Sequence, residues 1–434
     1  MHLIKGENEY LLFDNATISV YRLSKEQGAQ LEKYTDDEIN DLLSGFNEQS
    51  DNSAVTHESL EYKRADRIVL VISQACNMGC KYCYAQEGSY GEEKLSLMSF
   101  ETLKKTIEKV IEIYPDGVSR IQFFGGEPLI NFALMKKAVP WILQYFEDRG
   151  LESPSFTIVT NGTLITSEVH DFFNRYGVNV TVSIDGNKVV NDTNRVFKST
   201  GLGTYDCITN NLKLMNKDRR YILMLEMTVD RSNFLQCKEN DGRLLDIEDL
   251  LEFKPDLFHI VPAIWPKGHS CSFDTAENFA LMKEYFINIS RFAAKQFGSD
   301  RPVNVIKMAD MARSIIRKRK RDLLCGAGID QFSVDVNGDI YPCFAFIGQS
   351  DFKMGNVFEK ENTLYQKVRK RCSNNTFRSI DECKQCWANG LCSNCIGNSY
   401  LVNGQIDKPI KELCTVQKAT LEQAILSCYK MVNR

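Results

Sequence analysis

Short apolar runs separated by helical periods dominate the chain from residue 67 onward. RIVLVIS (67–73), RIQFF (120–124), SFTIVT (155–160), NVTVSID (179–185), YILMLEMTV (221–229) and LFHIVPAI (257–264) have the length and β-branched content of strands. SFETLKKTIEKVIEIY (99–114) and FALMKKAVPWILQYF (132–146) carry helical spacing, and Pro140 is expected to kink or divide the second. Strands this apolar fit a sheet buried on both faces, and strict alternation with helices implies parallel order and right-handed crossovers. The predicted fold is α/β, a partial (β/α)6 TIM-like barrel with functional loops at the C-terminal ends of its strands.

The first sixty residues read as a small separate α+β unit. EYLLFD and TISVYRL flank Asn15-Ala16 as a hairpin, and Thr35 with Glu38 has the spacing of a capping box opening a short helix. The polar stretch 47–59 reads as a linker. RSIIRKRKR (313–321) reads as a solvated helix face at a boundary or as a basic binding patch. Beyond it cysteines become dense. The expected domains are 1–62, 63–300 and 301–434, in keeping with a prior of about three for this length.

Composition adds mainly exclusions. The chain has 434 residues, 43% apolar and 25% charged, as expected of a globular protein. A formal net charge of −4 supplies no broad field for nucleic acid or anionic lipid. No apolar run approaches the roughly 20 residues of a membrane span and the N-terminus is not signal-like, so a cytoplasmic protein without membrane or nucleic-acid partners is expected. Fifteen cysteines in a reducing compartment point to metal or cluster ligation. Isolated ones such as Cys207, Cys237 and Cys428 can be small buried hydrophobes.

Cys76, Cys80 and Cys83 follow the first strand as CxxxCxxC. Three thiolates can hold three corners of a [4Fe–4S] cluster and leave one iron open. Zinc would need a fourth ligand from elsewhere, and the whole chain has five histidines. After the second strand come Gly125, Gly126, Glu127 and Pro128, after the third Thr160-Asn161-Gly162-Thr163, and after the fourth Ser183-Ile184-Asp185-Gly186. Each alone is also ordinary turn chemistry.

Taken in order, these four motifs resemble the radical S-adenosylmethionine (SAM) enzymes over roughly residues 67–300. The resemblance implies that Cys76, Cys80 and Cys83 hold a cluster whose open iron chelates SAM. Cleavage of SAM then gives a 5′-deoxyadenosyl radical that abstracts hydrogen. It also implies SAM contacts by Tyr82 at the adenine and by Gly125, Gly126, Glu127 and Pro128 at the methionyl ammonium. Asn161, Ser183, Asp185 and Arg195 would meet ribose or carboxylate.

The later cysteines form a second pattern. Cys325, Gly338 and Cys343 precede the compact group Cys383, Cys386, Cys392 and Cys395, and Cys414 follows. The two CxxC pairs alone would suit a zinc ribbon. The arrangement resembles the SPASM extension of peptide- and protein-modifying radical SAM enzymes, with Cys392 and Cys395 one residue closer than is common. It implies one auxiliary cluster on Cys383, Cys386, Cys392 and Cys414. A second would sit on Cys325, Cys343 and Cys395, its open iron available to a substrate thiolate.

YPCFAFIGQSDFKMGNV (341–357) is similar to the matching segment of maturases that form thioether crosslinks. Phe344 stands where anaerobic sulfatase maturases carry an aspartate base, which disfavours that activity. The expected function is joining a cysteine sulfur to a carbon in a ribosomally made precursor peptide. The expected partners and cofactors are three [4Fe–4S] clusters, SAM, a leader-bearing peptide and a flavodoxin or ferredoxin. The N-terminal unit then reads as a reduced leader-recognition domain or as a cap on the barrel. Carbon–carbon crosslinking, side-chain oxidation and a non-catalytic zinc-binding protein are the alternatives.

Overall fold

The computed structural model describes residues 1–7, 9–43, 63–91, 95–266, 268, 269, 273, 275–296, 303–360 and 363–432. The expected linker at 47–59 lies outside the described residues.

Strands β1 (His2–Lys5), β2 (Tyr10–Asp14) and β3 (Ser19–Leu23) form a small antiparallel sheet, with β2 and β3 as the expected hairpin. Thr35 and Glu38 cap the helix Asp36–Leu42 reciprocally. The same device, Ser24 with Gln27, opens the helix Lys25–Leu31, which has too few apolar residues to be legible by periodicity. This unit docks on the C-terminal part of the chain. His2 stacks on Trp387 at 3.8 Å and bonds Asp36 and Glu422, and Asn15 Nδ2 donates to the carbonyls of Trp387 and Asn389.

The main sheet contains all six expected strands and four more. β4 (Ala65–Ser73), β5 (Val118–Gly125), β6 (Ser155–Thr160), β7 (Asn179–Ser183), β8 (Leu223–Val229) and β9 (Leu257–Pro262) pair in parallel, in chain order. β10 (Asn304–Val305) adds in parallel to β9, and β11 (Gln331–Val334) adds in parallel to β4. β12 (Asp339–Tyr341) and β13 (Gly355–Asn356) continue antiparallel. The order is β10-β9-β8-β7-β6-β5-β4-β11-β12-β13, and no pairing among the described residues closes it. The sheet is an open partial barrel extended by strands that lie beyond residue 300.

Alternation along the strands separates two faces. On β8, Leu223, Leu225, Met227 and Val229 are fully buried, while Met224, Glu226 and Thr228 on the other face are half-buried. The first set belongs to the core cluster. The second faces the inside of the sheet's curve. Pro140 does not divide its helix, which runs unbroken from Phe132 to Glu147. Pro140 lies on the exposed side, where water can satisfy the carbonyl it leaves unbonded, while Met135, Ala138, Val139 and Ile142 keep the apolar face packed. The basic stretch 313–321 is mostly solvent-exposed. No helix among the described residues is long and apolar enough to cross a membrane.

The β11–β12 hairpin, which leads into Cys343, depends on a buried carboxylate. Asp335 Oδ1 accepts from the backbone N–H of Asn337 and of Asp339 at 2.9 and 2.8 Å. Burial pushes its carboxyl up to about 6, against an ordinary 3.8. The stabilisation is therefore fully present below about pH 4 and is lost as pH rises through about 6, at most about 3 kcal/mol. Asp335→Asn keeps an acceptor oxygen and removes the buried charge. Chemical denaturation at pH 4 and pH 8 should show the variant losing less stability than the parent between the two.

Candidate functional site

The cysteine loop leaves β4 where the strand is most deeply buried. Ser73 has no exposed surface, and its carbonyl accepts from Gly126 N at 2.8 Å. The Ala75 carbonyl accepts from Glu127 N at the same distance. Glycine is required on the facing turn. A Cβ at Gly125, where φ is +153°, would fall 2.2 Å from Ser73 O, and one at Gly126 would fall 2.4 Å from Ala75 O. A Cβ at Gly88 would meet Gly126 Cα at 2.6 Å and Cys76 Cβ at 2.9 Å, so the loop closes back over its own first cysteine.

Cys76, Cys80 and Cys83 converge within this loop. Burial pushes the Cys76 thiol up to about 12, with further contributions from Glu127, Cys80 and Cys83. Burial likewise raises Cys80 to about 11, Arg195 opposing and Cys83 adding. Thiols brought this close together are a poor arrangement without a cation, and a bound metal would deprotonate them. The donor set therefore fits a cluster.

Glu127 is fully buried and accepts from Leu129 N, Thr160 Oγ1 and Asn161 N at 2.7–3.0 Å. Burial still raises its carboxyl to about 7. Pro128 opens the short 3-10 turn that follows it. Asn161 Nδ2 donates to Asn77 Oδ1 at 2.8 Å, tying the third strand end to the cysteine loop. A ring of short polar side chains thus surrounds the loop at the ends of β4, β5 and β6.

Asp185 joins Tyr82, Arg195 and β8 into one buried knot. Its Oδ2 accepts from the Tyr82 hydroxyl, and its Oδ1 accepts from Thr228 N at 3.0 Å. Arg195 Nε lies 3.0 Å from the same Oδ1, poorly aligned for a hydrogen bond, and its guanidinium is 5.5 Å from the Tyr82 ring centre. Burial pushes the Asp185 carboxyl up against the pull of Arg195. Burial would lower Arg195, but Asp185 outweighs it and holds the guanidinium up. Arginine does not lose its proton in proteins, so Asp185 faces a permanent positive charge. Ser183 stands just below, half-buried and in register with Glu226.

The later cysteines divide between two places. Cys383, Cys386, Cys392 and Cys414 line one cavity of about 320 Å³, and burial pushes Cys383 up to about 11 and Cys392 to about 12. Cys395 points elsewhere. A side chain at Gly397 would begin 2.7 Å from Ala345 Cβ, 3.6 Å from Cys395 Sγ and 4.0 Å from Cys343 Sγ, so both thiols lie beside this glycine. Burial raises the Cys343 thiol well above its usual value, with Cys395 and Cys325 adding to it. The short Cys392–Cys395 spacing is the point where the loop passes from one group to the other. No three His, Cys, Asp or Glu side chains among the described residues are set to hold a single metal ion.

Several notable residues fall outside every motif. Glu226 on β8 and His259 on β9 are register partners on the inward face, with Nδ1 of His259 3.4 Å from a Glu226 oxygen. Burial would raise Glu226, but His259 holds its carboxyl below the usual range. His259 also lines a cavity of about 250 Å³ with Lys307, Asn398 and Cys395. Their signal was available: a charged residue at an inward position of an otherwise apolar strand. Phe344 packs at a tilt against Phe124, 4.5 Å between ring centres, and lies 6.1 Å from Tyr84, forming an aromatic wall near Cys83 and Cys343. Cys372, from a distant helix, lies beside Cys325 and Cys343, and no spacing signal marks it.

Comparison with known proteins agrees with this arrangement. The radical SAM superfamily model matches residues 70–225, and the SPASM iron-sulfur cluster-binding domain model matches 325–396. The radical SAM cyclopropyl synthase TigE of Paramaledivibacter caminithermalis is 25% identical over 89% of this chain and 83% of its own length. A serine-type anaerobic sulfatase-maturating enzyme of Bacteroides thetaiotaomicron is 26% identical over 74% of this chain and 79% of its own. Two solved structures share the fold. Native anSMEcpe with bound AdoMet and Cp18Cys peptide gives a TM-score of 0.69 at 19% identity, covering 85% of this chain and 99% of that one. Streptococcus suis SuiB bound to precursor peptide SuiA gives 0.53 at 16%, covering 92% and 96%. With its cysteine loop at the end of β4 and its second cysteine region carried by the same sheet, the chain is a radical SAM enzyme with a C-terminal SPASM domain.

Proposed function

We propose that this enzyme matures a ribosomally made precursor peptide by joining a cysteine sulfur to a substrate carbon, with loss of two hydrogens. The observation that carries the reading is Phe344. Where sulfatase maturases place a carboxylate, this chain builds an apolar wall from Phe344, Phe124 and Tyr84 between its two cysteine regions. Such a wall suits an apolar or aromatic peptide side chain.

When bound, SAM and three [4Fe–4S] clusters would supply a hydrogen-abstracting radical and an acceptor for the surplus electron. Cys76, Cys80 and Cys83 would hold the SAM cluster, with Cys383, Cys386, Cys392 and Cys414 at one auxiliary cluster and Cys325, Cys343 and Cys395 at the other. Glu127, on the Gly125–Pro128 turn, is suited to the methionyl ammonium. Asn161, Ser183 and Tyr82 stand at strand ends where ribose and adenine would lie. Asp185 and Arg195 face each other as an ion pair, and Asp185 also sets the position of Tyr82. Glu226 orients His259 through Nδ1, which leaves Nε2 to take the thiol proton.

The test uses anaerobically reconstituted enzyme, SAM, a reductant and a short cysteine-rich peptide encoded beside this chain. A product lighter by two hydrogens, with one cysteine resistant to alkylation, is expected. A product without a sulfur linkage would overturn the thioether reading. Glu226→Gln and His259→Gln should lower product formation about 10²–10⁴-fold while 5′-deoxyadenosine still forms.

Sulfatase maturation is the second reading. It is favoured by the similarity to a sulfatase-maturating enzyme and by Glu226, which supplies a carboxylate on the inward face although position 344 does not. Oxidation of a sulfatase-derived peptide in the same assay would support it.

A further inference from the structure

The cysteine spacing leaves the cluster at Cys325, Cys343 and Cys395 one thiolate short. The fold brings another cysteine to the same place. Cys372 sits on the helix Thr363–Ser373 and is 2% exposed. Its sulfur packs into the angle between the turn that follows Cys325 and the residue that precedes Cys343. A side chain at Gly328 would begin 3.0 Å from Cys372 Sγ and 3.3 Å from Pro342 Cβ. Glycine with a φ of +76° at that position is what lets the helix bring its thiol in this far.

The surroundings of Cys372 differ from those of the solitary cysteines. Cys428 and Cys207 have burial as their sole influence, and Cys237 has Asn288, Asp246 and Glu284 around it. Cys372 instead lies close to both Cys325 and Cys343. Cys343 and Cys325 each also feel Cys395. Cys325, Cys343 and Cys372 are therefore neighbours drawn from three segments, and Cys395, from a fourth and at the surface, lies next to the first two. A small buried hydrophobe would not need thiol neighbours on two of those segments.

We propose that Cys372 is the fourth ligand of the auxiliary cluster held by Cys325, Cys343 and Cys395, closing a coordination that spacing alone leaves open. This rests on the reading that the region holds two auxiliary clusters. A cubane takes four cysteines, and a fully ligated one keeps no iron for a substrate thiolate. The substrate sulfur would then reach its carbon without binding this cluster, whose role becomes electron acceptance alone.

The experiment uses the full chain with Cys76, Cys80 and Cys83 replaced by alanine, so that only auxiliary clusters remain. About eight irons per chain are expected. The EPR spectrum of the reduced protein should not change when 2-mercaptoethanol is added as a small thiol probe. In the same background Cys372→Ala should lose one iron on mild oxidation, giving a three-iron signal, or acquire a spectrum that responds to the thiol. Cys372→Ser, close to the parent in size, should keep the iron but shift the spectrum. The proposal is overturned if the parent spectrum responds to the thiol and both variants match it in iron content and spectrum. About four irons in the parent would instead remove the two-cluster reading, and this proposal with it.

Discussion

Asp185→Ala is expected to destabilise the folded protein by about 3–5 kcal/mol, because it leaves the Arg195 guanidinium buried without its carboxylate. Asp185 has no exposed surface and Arg195 is 6% exposed, so water cannot take over the lost partner. The damage should extend to the cysteine loop. Asp185 anchors the Tyr82 hydroxyl, and Tyr82 lies between Cys80 and Cys83 in the chain. Asp185→Asn keeps the size and an acceptor oxygen but loses the charge, and should cost less than alanine. Denaturant unfolding of both variants measures the difference. Equal stability of Asp185→Ala and the parent would mean that the knot contributes nothing to the fold.

The second large effect concerns iron. On the three-cluster reading proposed above, Cys80→Ala should lower the content of the reconstituted enzyme from about twelve irons per chain to about eight. Formation of 5′-deoxyadenosine from SAM should fall to the uncatalysed background. Cys428→Ala provides the contrast. Cys428 is 4% exposed and has no cysteine beside it, so iron content and SAM cleavage should stay at the parent level while only packing suffers. Iron analysis beside chromatography of the SAM products distinguishes a lost cluster from a damaged fold. Unchanged SAM cleavage in Cys80→Ala would refute the role of the loop.

The six parallel strands were legible because β4 and the middle of β7 are apolar enough to be buried on both faces, while β6, β8 and β9 alternate. Residues such as Ile68–Ile72 and Val180–Val182 can occupy no other kind of strand. β10 and β13 were not legible, since two residues carry no period. β11 and β12 flank Asn337-Gly338, a hairpin signal of ordinary form, but the strands are four and three residues long. At the site, local motifs carried their own evidence: three cysteines within eight positions, and strand ends rich in Gly, Asn and Asp.

In groups assembled from distant segments a single member can stand out, but its partner does not. Glu226 meets His259 only through strand register, and Cys372 reaches Cys325 only because a helix packs on the Gly328 turn. The knot at Asp185 lies between these cases. Its members stand in or near the motifs, yet their mutual contact depends on the Arg195 side chain reaching Asp185 and on β8 supplying Thr228 N.

The pairing of β11 with β4 bears on how the chain must be made. β4 emerges from the ribosome long before β11, since Arg67 and its partner Gln331 are 264 residues apart. At synthesis rates of about 5–20 residues per second that interval is on the order of ten to fifty seconds. During it, β5 can cover one side of β4, but the other side is an apolar strand edge with unpaired backbone groups, open to pairing with another nascent chain. The C-terminal region thus completes the protection of the strand that begins the catalytic loop. Chains halted before residue 331 are left with an aggregation-prone edge that no later element can cover.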